Sequence, residues 1–204
     1  MLKITNDYEA FKVAARLKRI TEYQLPPWNK LPKDIRSREF QDFIQDELGW
    51  LFPEEKLLTG YMLQNYLKWG VLLDLEGRKY SREHVAWTLT ITLLKRVIAL
   101  DEIKEGIILQ KKLMSEKQCY EVFRQEFHRA LVEIFSPIFA EDLELEAARK
   151  EGQLDQGELV FKGLHVDGNR LAVAAVCRAL AWQILTTTIL AYGGWQRLAP
   201  YIED

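Results

Sequence analysis

Tyr61, Gln64, Asn65 and Lys68 recur at steps of three and four residues in the run TGYMLQNYLKWG, a spacing that gathers them on one face of a helix. The carboxamides of Gln64 and Asn65 can donate and accept together across the major-groove edge of adenine, and the Lys68 ammonium suits guanine or phosphate. Ten residues further on, Gly77-Arg78-Lys79-Tyr80 sets two cations at the tip of a tight turn, with Arg82 close behind. That is the chemistry of backbone phosphate contact, which positions a protein on a duplex without reading its sequence. Any exposed helix can carry Gln, Asn and Lys, so the weight falls on the elements that must present them.

Those elements are well punctuated. Thr59 is an expected N-cap, Met62, Leu63, Tyr66 and Trp69 supply the apolar positions, and Gly70 stops the helix, which spans about 59–69. Gly77 permits the turn, and Tyr80 is expected to anchor the returning segment in the core. Ser81 then caps a longer helix with Val85, Leu89, Leu93 and Val97 along a broad apolar face, and Lys95 and Arg96 near its end suit the helix dipole. A further helix follows, capped by Asp101, with Ile103, Ile107 and Ile108 expected inward. Upstream, Ser37 is the expected cap of a helix to Leu48, carrying Phe40, Phe43, Ile44 and Leu48 at helical spacing. Together these read as a winged helix-turn-helix whose first helix braces the reader. Its turn, containing Trp50-Leu51-Phe52-Pro53, is longer than usual.

Composition is permissive rather than decisive. The 204 residues are 48% hydrophobic, enough for a sizeable core, and 28 basic against 30 acidic side chains advertise no polyanionic partner. The charge is uneven, however: residues 59–112 carry nine basic and six acidic side chains, and residues 113–204 carry nine and fourteen. No GxSxG, Walker or GxGxxG motif occurs, and His84, His128 and His165 share no metal-ligand spacing, so neither enzyme nor cofactor is expected. The carboxylates Glu141, Asp142, Glu144 and Glu146 have the density of a solvated helix face. Cys119 and Cys177 sit apart in apolar patterns and are expected to be buried and reduced. The charged N-terminus lacks the apolar core of a signal peptide, which points to a cytoplasmic protein. The apolar stretch from Leu171 to Tyr192 contains Arg178 and is expected to be a buried helix rather than a membrane span.

Elsewhere, Asn6 and Glu9 resemble a capping box opening a short N-terminal helix that ends near Arg19. Pro26, Pro27 and Pro32 make an extended connector pinned by Trp28. From Ser115 onward, Tyr120, Phe123, Phe127, Leu131, Ile134 and Ile138 form a seam, with Pro137 expected to kink or end its helix. A glycine-punctuated loop with a small hairpin near Val160 and Leu164 precedes a last helix, capped by Asp167 or Asn169 and apolar almost all round. The resulting expectation is an all-α chain with a small β-wing. Residues 1–112 would be a head with an N-terminal helical extension, and residues 113–204 a C-terminal helical bundle packed on it or dimerising.

The head resembles the DNA-binding region of MerR-type transcription regulators. The likeness rests on Tyr66 with Gly70-Val71-Leu72, then Arg78-Lys79-Tyr80-Ser81, then Leu100-Asp101-Glu102-Ile103. Gln64, Asn65 and Leu67 depart from the pattern of those regulators. Together with the PPWNKLP run the segment more closely resembles an uncharacterised bacterial family, domain of unknown function 1836, described as MerR-like. The resemblance implies a homodimeric regulator that binds double-stranded DNA through Tyr61, Gln64, Asn65, Lys68, Arg78, Lys79 and Arg82. It names no operator and no small-molecule effector. The alternative expectation is a protein–protein interaction module that keeps the winged-helix scaffold without binding DNA.

Overall fold

A computed structural model of the chain describes residues 7–53, 55–75, 77–151 and 168–191, with side chains described from 15 to 135 and from 173 to 188 within those spans. Seven α-helices follow one another among the described residues: α1 (Asp7–Glu22), α2 (Ser37–Leu48), α3 (Gly60–Lys68), α4 (Arg82–Leu94), α5 (Leu100–Leu113), α6 (Glu116–Glu151) and α7 (Gly168–Ala191). The chain divides into two compact units. One holds residues 24–127; the other joins the first 23 residues to the chain from residue 128 onward.

In the unit of residues 24–127, α2 packs against α3 and α4, and α4 packs against α5. The helical stripes explain the order. Phe40, Ile44 and Leu48 of α2, Leu63 and Tyr66 of α3, and Ile103 and Ile107 of α5 are the buried positions of amphipathic helices. Residues 84–93 of α4 are all buried, so this helix lies at the centre of the core. The proline connector is fastened to the start of α6. The Tyr120 hydroxyl donates to the Pro26 carbonyl at 2.7 Å, and the Trp28 N–H donates to Glu121 Oε1 at 2.8 Å. Burial alone would raise the Glu121 carboxyl, but that N–H and the Arg124 guanidinium hold it below its ordinary value.

Several local expectations are corrected. Arg36, not Ser37, is the N-cap of α2: its backbone is extended, and its N–H donates to Glu39 Oε2 at 2.8 Å. Ser37 lies inside the helix, its hydroxyl 3.2 Å from Gln41 Nε2. Ala99 rather than Asp101 precedes α5, because a hydrogen-bonded turn over Lys95–Ile98 delivers an extended Ala99. Asp101 and Glu102 then occupy the first turn, where the positive end of the dipole favours carboxylates. Ile103 and Ile107 are buried as expected, but Ile108 is 46% exposed. Instead of strands, the described residues of the expected wing show one isolated antiparallel bridge, Ile35 with Tyr80. Its hydrogen bonds run from the Tyr80 N–H to the Ile35 carbonyl at 2.8 Å and from the Ile35 N–H to the Tyr80 carbonyl at 3.2 Å.

The other unit contains α1, the second part of α6 and α7. Helix α6 continues through Pro137 to Glu151. A proline inside a helix costs about 3 kcal/mol, which the buried run of Ala130, Leu131 and Phe135 just before it can offset. Among the described side chains of helix α7, residues 173–188, the buried ones are Ala174, Cys177, Leu180, Ala181, Ile184, Leu185 and Thr188, while Trp182 is 48% exposed. The apolar side chains of its outer face are mostly alanines, which cost little when solvated. Arg178 bridges to Glu133 at 2.7 Å, and the His128 Nδ1–H donates to the Tyr23 carbonyl at 3.0 Å. Cys119 and Cys177 are both buried. Among the described residues no helix is long and apolar enough to cross a membrane. Asn6, the loop around Val160 and Leu164 and Asp167 fall outside what is described, as do the side chains of Glu9, of Glu141 to Glu146 and of Asn169, the last of which lies within α7.

Candidate nucleic-acid interface

Helix α3 is built as the spacing requires. Thr59 is extended and its hydroxyl accepts the Met62 N–H at 3.1 Å, satisfying one free donor of the first turn. At the other end Gly70 adopts φ +64°, a left-handed conformation that glycine takes without strain. The Gly70 N–H donates to the Leu67 carbonyl, and the Val71 and Leu72 N–H groups donate to the Tyr66 carbonyl. The Lys104 ammonium closes the end by donating to the Trp69 carbonyl at 2.6 Å.

With Leu63 and Tyr66 buried, successive steps of about 100° leave Tyr61, Gln64, Asn65 and Lys68 on the opposite face. Tyr61 is 74% exposed, Gln64 and Lys68 are exposed, and Asn65 is half-buried. The four expected reading residues are therefore presented together. Trp69 and Leu73, both exposed, flank the end of this face.

The segment after α3 is anchored at its two feet. Val71 and Leu72 are buried at the first foot, and at the second Tyr80 is buried between Phe40 (ring centroids 4.9 Å) and His84 (5.7 Å). Burial pushes the Tyr80 hydroxyl up, moderated by a hydrogen bond with Ser37. Between the feet Asp74, Gly77, Arg78 and Lys79 are exposed, and Gly77 turns the chain at φ +87°. Arg78 and Lys79 thus sit on a solvent-facing loop. Arg82 does not share that freedom: it is half-buried and its Nε–H donates to the Leu31 carbonyl at 3.1 Å, bracing the proline connector.

Three fastenings escaped the sequence reading. His84 is the first. Its Nδ1 lies 3.1 Å from the Ser81 nitrogen and must accept that N–H, so Nε2 carries the ring proton and donates to the Leu73 carbonyl at 3.0 Å. One buried imidazole therefore staples both feet of the basic loop, and the Ser-x-x-His spacing of a capping box was its only sequence signal. The second is Arg96, which grips Glu55 through two hydrogen bonds of 2.9 and 2.6 Å and stacks 3.4 Å above the Phe52 ring. Those hydrogen bonds hold the Glu55 carboxyl below its usual range. Neighbouring Lys95 donates to the Leu57 carbonyl at 3.3 Å, with burial lowering its ammonium. The third is Lys104 at the end of α3. No group of three His, Cys, Asp or Glu side chains is placed to hold a metal among the described residues.

Residues 26–125 match a family model described as a domain of unknown function (DUF1836). The matched span ends within two residues of the compact unit 24–127 at either side, so the match and this unit cover nearly the same residues. No curated protein and no solved structure matches the chain.

Proposed function

We propose that residues 24–127 form a MerR-like winged helix-turn-helix head of a non-enzymatic cytoplasmic regulator of transcription that binds double-stranded DNA. Helix α3 reads the major groove, and the loop 77–80 acts as a wing on phosphate. One observation carries this reading: Tyr61, Gln64, Asn65 and Lys68 share the solvent face of a helix capped at both ends and locked from behind by α2. Gln64 and Asn65 read base edges, Arg78 and Lys79 set the register on the backbone, and Arg82 stabilises the scaffold. The Ile35–Tyr80 bridge supports the wing by tying its second foot to the chain ahead of α2.

The test is fluorescence anisotropy with labelled duplexes of random and selected sequence over a range of salt concentrations. Arg78→Ala combined with Lys79→Ala should weaken binding to every sequence and reduce the salt slope by about two, one for each phosphate that is no longer neutralised. Gln64→Ala should instead change which sequences are preferred, by about 1–3 kcal/mol at the position it reads. Absence of binding by the unmodified protein at low salt sinks the proposal.

A second reading is favoured by Tyr61, Trp69 and Leu73, exposed apolar groups of the kind that anchor protein partners. Here the same scaffold is a protein-interaction module, and replacing Trp69 with serine would abolish partner capture while no DNA is bound.

A further inference from the structure

Side-chain carboxamides on two neighbouring helices are put to different uses. Both glutamines of α2 are spent on the scaffold: Gln41 Nε2 donates to the Ser37 carbonyl at 3.0 Å, and Gln45 holds the Leu57 N–H and the Glu55 carbonyl. On α3, Gln64 and Asn65 make no side-chain hydrogen bond among the described residues, and both lie on the face turned away from the core. Successive helical residues diverge by about 100° and rise by about 1.5 Å, so these two amides flank the line from Tyr61 to Lys68 and reach different bases. No arginine stands on α3 to fork onto guanine.

We propose that N6-methylation of adenine weakens sequence-specific binding of DNA by this head. With α3 in the major groove, the reading on which this proposal rests, each carboxamide oxygen accepts an adenine N6–H while its NH2 group donates to N7. A methylated adenine keeps its pair with thymine by giving its one remaining N6–H to the thymine oxygen. The methyl group then stands in the groove where the second N6–H was. A carboxamide oxygen brought there loses its donor and meets the methyl group, which also holds the amide away from N7. A loosely held reader could shift to a neighbouring base, but α3 is fixed by Thr59 at its start and by Gly70 and the Lys104 ammonium at its end. Arg78 and Lys79 face phosphates, which a modified base leaves unchanged. The modification therefore acts on base reading and spares the electrostatic part of binding.

Fluorescence anisotropy on the full chain tests this, with a labelled duplex recovered by selection and versions of it that each carry N6-methyladenine at one position. One methylated adenine should cost the parent about 5- to 150-fold in affinity, the worth of a bidentate base contact. Gln64→Ala should bind that version and the unmethylated duplex alike, and a second adenine should stand in the same relation to Asn65→Ala. Arg78→Ala combined with Lys79→Ala should weaken binding to both forms while preserving the ratio between them. The methylation scan of the parent needs no variant, so its outcome does not depend on how the substitutions fold. A selected site without adenine, specific binding that no methyl group disturbs, tighter binding to a methylated duplex, or a loss that survives in both Gln64→Ala and Asn65→Ala overturns the proposal and leaves DNA binding itself standing. A parent that binds no duplex at low salt overturns both.

Discussion

Helix α3 is reached through one connection and left through another, and the two are built on opposite plans. The approach from Gly49 to Leu58 buries Leu51, Phe52, Leu57 and Leu58 and is gripped from two helices. Gln45 of α2 accepts the Leu57 N–H and donates to the Glu55 carbonyl, while Arg96, just past α4, covers Phe52 and holds Glu55. The departure from Gly70 to Tyr80 buries its ends and exposes the stretch that carries Arg78 and Lys79. A connection longer than a usual helix-turn-helix turn is thus made rigid by packing, and it fixes how α3 is presented. The other connection places its bonds at its feet and keeps its cations for solvent. Damage to the first should therefore cost stability, and damage to the tip of the second should cost almost none.

The largest effect is expected at Phe52. Truncating it to alanine removes a buried ring and the surface on which Arg96 rests, and large-to-small changes of this kind cost about 3–5 kcal/mol. Urea denaturation should show a lower midpoint with an unchanged slope. A loss under about 1 kcal/mol, the level of an ordinary surface change or slightly above, would mean that the approach connection is not locked in the way its burial implies. His84→Ala comes next. It strands the Ser81 N–H and the Leu73 carbonyl; both are part-buried, so the cost should lie toward the low end of the roughly 1–3 kcal/mol of an unpaired buried group. The distinguishing readout is hydrogen exchange: amides from Leu73 to Ser81 should lose protection more than those of α3.

A smaller effect should follow acidification. The folded Glu55 carboxyl titrates below its ordinary 4.5 because Arg96 hydrogen-bonds its charged form. The pair therefore contributes its full stability above that ordinary value and loses it as pH falls through the lower folded one. Glu55 is half-exposed, so screening limits the contribution to under about 1 kcal/mol. Comparing urea midpoints of the parent and Glu55→Gln from neutral pH down through the ordinary carboxylate range should show a gap at neutrality that narrows in acid. A gap that persists at the acid end would assign the effect to packing rather than charge.

What could be read from sequence divides along the same line. The cap at Thr59, the stop at Gly70 and the exposed face of Tyr61, Gln64 and Lys68 are set by neighbours within a turn or two, and periodicity reveals them. The anchoring of Tyr80 was legible for a similar reason, an aromatic following a glycine turn. The clamp of Arg96 on Glu55 spans 41 residues, and the commitment of Arg82 to Leu31 spans 51. No local pattern announces such pairs, which exist only once α2 and α4 have packed. That is why sequence could not tell the braced Arg82 from the exposed Arg78, and why the turn showed only as longer than usual. The start of α5 was misplaced by a different cause: Asp101 is a good capping residue, but the turn at Lys95–Ile98 decides where the helix can begin.

The sharpest comparison uses the smallest stability change. Arg78→Ala combined with Lys79→Ala alters only side chains that are exposed on a loop whose feet remain stapled by His84 and Tyr80. Surface substitutions away from caps and buried partners usually stay within about 0.5 kcal/mol, so the denaturation midpoint should match that of the parent. The same protein should bind duplex DNA more weakly at every salt concentration tested. Stability and binding would then separate at one site, which a merely structural role for these cations cannot produce. Should the midpoint fall as far as it does for His84→Ala, Arg78 and Lys79 would belong to the scaffold instead, and the two connections would differ only in degree.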